Sequence, residues 1–298
     1  MMYNTLPWIQ RQMKPILSIV IPTFNRSQIC KRQIRHVATW RDKNQMNDLV
    51  DICVLDNASE EQQSLILKQE CEETNVCYKY NHANVGFSGN FCRSVQVGEG
   101  DYIWVISDDD FVSETCMNMV LKYLKSENKP GIIGFSVEMR KPILSGKIKN
   151  VISDLIENDL LSITSLTLVT STIFARKNFD YDIFWENEPY WFPHTVSIYK
   201  TAMLRNEDCV LIRSRKGLIQ ESGNTSIERQ TKSQSPYVIG LNREFQSALL
   251  YFINQLAVLI GKNKITESAY IDIVCERFKC QKEFVAQGFG KIEGLRSK

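Results

Sequence analysis

Apolar residues run almost unbroken from 16 to 22 (ILSIVIP), a stretch rich in branched side chains and bounded by Pro15 and Pro22. A run of that length and composition predicts a strand covered on both faces. Beyond it, Ile29, Cys30, Ile34, Val37 and Ala38 share one face at helical spacing, which predicts a helix to Trp40 with Ser27 as its cap. The pattern then alternates. Strands are predicted at 50–55, 76–80, 102–106 and 131–137, and helices at 60–73, 88–97 and 113–124, the last capped by Ser113. Alternation at this spacing implies βαβ units, hence an α/β fold with a mainly parallel sheet flanked by helices.

From Lys141 the alternation is lost. Residues 142–150 read as a basic, glycine-containing connection, and 162–172 as a Ser/Thr-rich segment. An aromatic patch follows at Phe184, Trp185, Tyr190, Trp191 and Phe192. Helices are predicted at 194–204, 236–260 and 266–287, with a short strand at 209–213, so the C-terminal part is mostly helical. The expected organisation is an α/β half over 1–140, a second half over 141–235 that completes the fold, and a helical extension over 236–298.

Charge narrows the function. Thirty-six basic against 34 acidic residues give a net charge of +2 over 298 residues, which argues against a nucleic-acid partner. The nine cysteines form no CxxC pair and no zinc-spaced cluster, so they are expected to be free thiols in a reducing compartment. The N-terminus lacks the apolar core of a secretory signal, and 248–260 is too short for a membrane span. A cytoplasmic protein is the expectation. Leu249, Leu250, Phe252, Ile253 and Leu256 leave three uses for the C-terminal helices: packing on the sheet, an oligomer contact, or peripheral contact with a membrane.

In an open α/β sheet, ligands bind beyond the carboxyl ends of the strands. Those ends carry Pro22-Thr23-Phe24-Asn25-Arg26, Asp56-Asn57-Ala58-Ser59, a loop from Asn84 through Gly86 to Asn90, and Ser107-Asp108-Asp109-Asp110. Three adjacent carboxylates repel, and a divalent cation with all-oxygen ligation, Mg2+ or Mn2+, would offset that repulsion; a solvated acidic turn is the plainer alternative. Asp56 fits either a turn bonding its own backbone or a carboxylate accepting a base N–H or a ribose hydroxyl. Asn84 and Asn90 fit either helix-start residues or a loop closing over a nucleoside. No P-loop, no dinucleotide GxGxxG after the first strand and no GxSxG elbow is present.

The segments IVIPTFNR at 19–26, VLDNAS at 54–59, NVGFSGN at 84–90 and YIWVISDDD at 102–110 together resemble the family 2 glycosyltransferases of the GT-A (Rossmann-like) fold. The triple Asp, with FPHTVSIYK at 192–200 and ESGNTS at 221–226, is similar to bacterial O-antigen and capsule enzymes of the abequosyltransferase-like group. The resemblance implies sugar transfer from a nucleoside-diphosphate donor to a glycan or polyprenyl-diphosphate-linked acceptor, with inversion and with Mn2+ or Mg2+. It further implies that Pro22, Thr23, Asn25 and Arg26 line the donor pocket with Asn84, Gly86 and Asn90. Asp56 would bind the base, Asp108 the ribose, and Asp110, with Asp108, the metal. Asp109 would face the donor sugar or serve the structure.

One departure stands out. Where the family usually carries an acidic base before a helix of the second half, this chain reads Phe192-Pro193-His194-Thr195. His194 is the candidate base on that placement, with Glu186 and Glu188 next. Arg213, Arg215 and Lys216 fit a diphosphate contact or a solvated edge, and Asn224 fits a loop near the donor. Rival readings are a nucleotidyltransferase, a non-catalytic binding module for sugar nucleotides or glycans, and a scaffold of a polysaccharide assembly complex.

Overall fold

The computed structural model describes residues 14–136, 139–190, 192–214, 219–220 and 243–278. The first half follows the predicted alternation: β1 (Leu17–Thr23), α1 (Ser27–Lys43), β2 (Val50–Asp56), α2 (Glu61–Glu73), β3 (Cys77–Tyr80), α3 (Gly86–Val97) and β4 (Tyr102–Val105). β1 pairs in parallel with β2 on one side and with β4 on the other, and β3 extends β2. After β5 (Phe111–Val112) come α4 (Glu114–Leu124) and β6 (Ile132–Ser136). The Ser113 hydroxyl caps α4 by accepting the Cys116 N–H at 3.2 Å. Ser27 does not cap α1. It is the first helical residue, and its N–H and hydroxyl both turn to the Gln63 carbonyl on α2.

The second half contributes more strand than its pattern predicts. It supplies β7 (Ile143–Lys147), α5 (Ile148–Asn158), two 3-10 segments at Leu160–Thr167 and Val169–Ser171, and β8 (Thr172–Ala175). Then follow α6 (Tyr181–Glu186), α7 (Pro193–Leu204), β9 (Asp208–Arg213), β10 (Ile219–Gln220), α8 (Arg243–Leu259) and α9 (Glu267–Phe278). The expected connection at 142–150 is therefore mostly β7. It lies at the sheet edge with exposed residues on both faces, so it leaves no apolar alternation to read.

One sheet runs through both halves, in the order β3-β2-β1-β4-β8-β6-β9-β7. Its parallel block is β3-β2-β1-β4. Beyond β4 the pairing is mixed, because β8 inserts antiparallel between β4 and β6, and β7 pairs antiparallel with β9. Side-chain alternation divides the interior in two. Trp104, Ile133, Ile173 and Ile212 face a core with Ile34 and Trp40 of α1 and Met117, Val120 and Leu124 of α4. Ile103, Ile132, Phe174 and Leu211 face the other, with Phe91 of α3, Ile152 of α5, Tyr199 of α7 and Phe252 of α8. Leu249, Phe252, Ile253 and Leu256 are buried there, so this face of α8 packs on the sheet domain. No helix among the described residues is long and apolar enough to cross a membrane.

Candidate active site

The carboxyl ends of β1, β2 and β4 lie side by side because these strands are neighbours in register. Asp108, just past β4, has no exposed side-chain surface. One of its carboxylate oxygens accepts the Thr23 hydroxyl at 2.6 Å, and the other lies 2.5 Å from the Arg26 guanidinium, which is 44% exposed. Burial pushes the Asp108 carboxyl up to about 6, against the pull of Arg26 and Thr23. Arg26 also reaches Asp109 at 3.2 Å, and Asp109 accepts the Ser107 hydroxyl at 2.5 Å. The repulsion between Asp108 and Asp109 is thus offset from within the chain by one arginine.

Asp110 is held from the second half. Its carboxylate accepts the Thr170 hydroxyl at 2.6 Å. The same Thr170 oxygen accepts the Ser107 N–H at 3.0 Å, and the Thr170 carbonyl accepts the Trp104 indole N–H at 2.9 Å. Thr170 therefore fixes the exit of β4 at three points. The sequence marks only a Ser/Thr-rich segment there, with nothing to single out this residue.

The β2 exit is a turn built on Asp56. Its carboxylate accepts the Ser59 N–H at 2.9 Å, the Ser64 hydroxyl at 2.6 Å and the Tyr78 phenol at 2.8 Å. Burial first, and the Asp56 carboxylate second, push the Tyr78 phenol up, so it remains a donor. Asp56 is fully buried, and the turn contacts foreseen for it are present. Asn25 stands in the left-handed region (φ 54°), which Asn tolerates better than most residues. It joins the β1 exit to this turn, its side-chain carbonyl accepting the Glu60 N–H and its own N–H donating to the Ser59 hydroxyl, each at 2.8 Å.

Four asparagines tie the third loop to β2. Asn57 donates to Asn84 at 2.9 Å and accepts from the Asn81 amide at 2.9 Å and the Val85 N–H at 3.1 Å. Asn81 also donates to Asn90 at 3.0 Å, and Asn84 accepts the Gly86 N–H at 2.9 Å. Gly86 has φ +71°, where a side chain would be strained even though open space surrounds its Cα. Asn57 and Asn81 carry this network and were not among the expected site residues. An amide directly after a strand-end Asp was the available signal.

His194 lies elsewhere than a ready base would. It is 4% exposed, its Nε2–H donates to the Thr167 carbonyl at 3.0 Å, and Phe91 and Phe87 pack on its ring at 5.0 and 5.9 Å between centroids. Its Nδ1 is buried without a partner, and burial lowers its pKa to about 4. Glu186 and Glu188 are exposed at the end of α6 and just beyond it. Of the aromatic patch, Phe184 and Phe192 are core, Trp185 is 50% exposed, and Tyr190 stacks on Tyr251 at 4.0 Å. Arg213 donates to the Arg140 carbonyl at 2.9 Å, while Trp191, Arg215, Lys216 and Asn224 lie outside the described residues.

Among the described residues, no three His, Cys, Asp or Glu are grouped so as to hold a metal ion by themselves. The donors at the β4 exit are all oxygen, and the buried Asp108 oxygen beside Arg26 is ion-paired to it at 2.5 Å. One or two carboxylates of this kind suit Mg2+ or Mn2+ that takes its other ligands from phosphate and water.

The chain matches glycosyl transferase family 2 over residues 18–184, more than half its length. It belongs to that family. Among curated relatives, this family 2 chain is 27% identical over 114 residues to abequosyltransferase RfbV of Salmonella typhimurium, covering 38% of this chain and 33% of that protein. It is 26% identical over 123 residues to the uncharacterized glycosyltransferase MG060 of Mycoplasma genitalium, covering 39% and 40%. The matches thus span well under half of each relative. S. aureus TarS, as its 1–349 form, aligns with a TM-score of 0.50 at 12% identity over 87% of this chain and 69% of that one; the longer TarS gives 0.51 at 13%, over 87% and 42%. At such identity the likeness concerns the fold, which is GT-A.

Proposed function

We propose that this family 2 protein is an inverting, divalent-metal-dependent glycosyltransferase that moves a sugar from a nucleoside-diphosphate donor to a glycan or polyprenyl-diphosphate-linked acceptor. The work proposed for it is bacterial surface polysaccharide synthesis on the cytoplasmic side of the membrane. The observation that carries the reading is the β4 exit. A buried Asp108 is tied to Thr23 and Arg26 of the β1 exit, with Asp109 and Asp110 beside it, at the edge where α/β sheets bind ligands. The similarity to an abequosyltransferase supports sugar transfer as the reaction.

In this reading the three pinned loops form a preorganised donor cradle, with Thr23, Asn25 and Asn84 at its wall and Arg26 as the cation nearest the diphosphate. Asp110, with Asp108, would hold Mn2+ or Mg2+, which supplies charge neutralisation for a diphosphate leaving group. For the proton of the acceptor hydroxyl, the geometry favours Glu186 or Glu188 over His194. Both carboxylates are exposed, whereas the one free nitrogen of His194 is enclosed and weakly basic. Glu186→Gln, Glu188→Gln and His194→Gln test the choice. The base is the variant that loses turnover by orders of magnitude while still binding donor.

Calorimetry with UDP, dTDP, GDP and CDP, each with and without Mn2+, tests the donor class. Tight binding of one base only with metal supports the reading, and Asp110→Ala should then remove turnover with folding intact. Absence of binding by all four sinks it. The buried His194 at the usual place of an acidic base favours a second reading, a non-catalytic sugar-nucleotide module. That module would bind donor without hydrolysing or transferring it.

A further inference from the structure

Cys53 on β2 and Cys77 on β3 are direct register partners in a parallel pair, so both side chains leave the sheet on the same face. β3 is the outermost strand. Cys77 is exposed there, whereas Cys30, Cys53, Cys71, Cys92, Cys116 and Cys209 are buried. It is the one exposed thiol among the described residues whose side chains are placed.

The Cys53 thiol donates to the Val54 carbonyl at 3.6 Å, and Cys77 stands opposite it across the strand pair. The neighbouring Cys53, helped by Lys79, holds the Cys77 thiol down to about 7, while Cys77 and burial push Cys53 up. Cys77 therefore combines the thiolate character and the access that a nucleophilic cysteine needs, and Cys53 stands behind it as an uncharged thiol. Neighbouring strands lie about 4.8 Å apart, inside the usual Cα separation for a disulfide of roughly 4.4–6.8 Å.

We propose that Cys53 and Cys77 form a reversible oxidation site that takes hydrogen peroxide or another small hydroperoxide. The Cys77 thiolate attacks the peroxide, its sulfur is oxidised to the sulfenic acid, and the O–O bond breaks with release of water after protonation. The Cys53 sulfur then attacks the Cys77 sulfur. The S–S bond forms, and the hydroxyl leaves as a second water carrying the Cys53 proton. Two thiols and one H2O2 give one disulfide and two waters, and a small dithiol reverses the change. This site stands apart from the proposed sugar transfer and does not depend on it.

The test uses the full chain, reduced, desalted and treated with hydrogen peroxide under native conditions, then alkylated and digested without reductant. Cleavage at glutamate separates Cys71 from Cys77 across Glu72 and Glu73. The expected product is a Cys53–Cys77 cross-linked peptide that disappears with dithiothreitol. In Cys53→Ser, Cys77 should instead be trapped as its sulfenic acid by dimedone, and in Cys77→Ser neither product should form. Cys77 remaining alkylatable while other cysteines oxidise would overturn the proposal, as would a Cys77 that oxidises without joining Cys53. A cross-link that forms equally in urea would also overturn it, since the pairing is a property of the folded sheet.

Discussion

At Asp108 a carboxylate with no exposed side-chain surface is held between a hydroxyl and a guanidinium. Removing the partner of a buried charge costs more than the pair contributes, because the charge stays behind. Arg26 is nearly half exposed, so water screens part of that loss, and Arg26→Ala should cost about 1–2 kcal/mol at pH 7 in urea unfolding. Adding Asp108→Asn should recover most of it; a double mutant as unstable as the sum of the singles would show that the two do not interact. His194 titrates in the opposite sense. Its pKa falls from 6.5 to about 4 on burial, so its contribution is intact above pH 6.5 and lost as pH falls toward 4. The loss should approach about 3 kcal/mol, at up to about 1.4 kcal/mol per pH unit. His194→Gln, whose amide can still donate to the Thr167 carbonyl, should flatten that slope; an unchanged slope would place the acid lability elsewhere.

At the scale of elements, the loop between β3 and α3 is tied to the β2 exit by the Asn57 side chain and by the Asn81 N–H bond to the Asp56 carbonyl at 2.8 Å. Asn57→Ala leaves the Val85 N–H without its acceptor and takes one of two acceptors from the Asn81 amide, which keeps Asn90, at a cost of about 1–2 kcal/mol. Amide exchange at Val85 should accelerate in this variant while β1 amides keep their relative protection. The positions of these loops were legible in the sequence, because each follows an apolar strand and the period of a strand is local. Their internal bonding was not. That Ser64 and Tyr78, 8 and 22 residues away, close on Asp56 could not be read from its turn. Likewise β7 escaped the pattern, since an exposed edge strand is defined by its backbone partner β9 and by no burial of its own.

Across the whole molecule, the second half of the chain fixes the acidic exit of the first. Thr170 reaches Trp104, Ser107 and Asp110 from 60 or more residues away. Thr170→Val keeps shape but removes the hydroxyl; it should cost about 1–2 kcal/mol and weaken metal-dependent nucleotide binding, with both read on one preparation. Normal binding in a destabilised variant would confine Thr170 to stability. The α/β alternation, the family-like strand exits and the triple Asp are legible in the unfolded chain, because these rest on local periodicity and on residue type. The place of β8 between β4 and β6, the hold of Arg26 and Thr170 on the aspartates, and the enclosure of His194 by phenylalanines arise on folding. Each of these is a contact between residues distant in sequence, and neither apolar period nor residue spacing encodes such a contact.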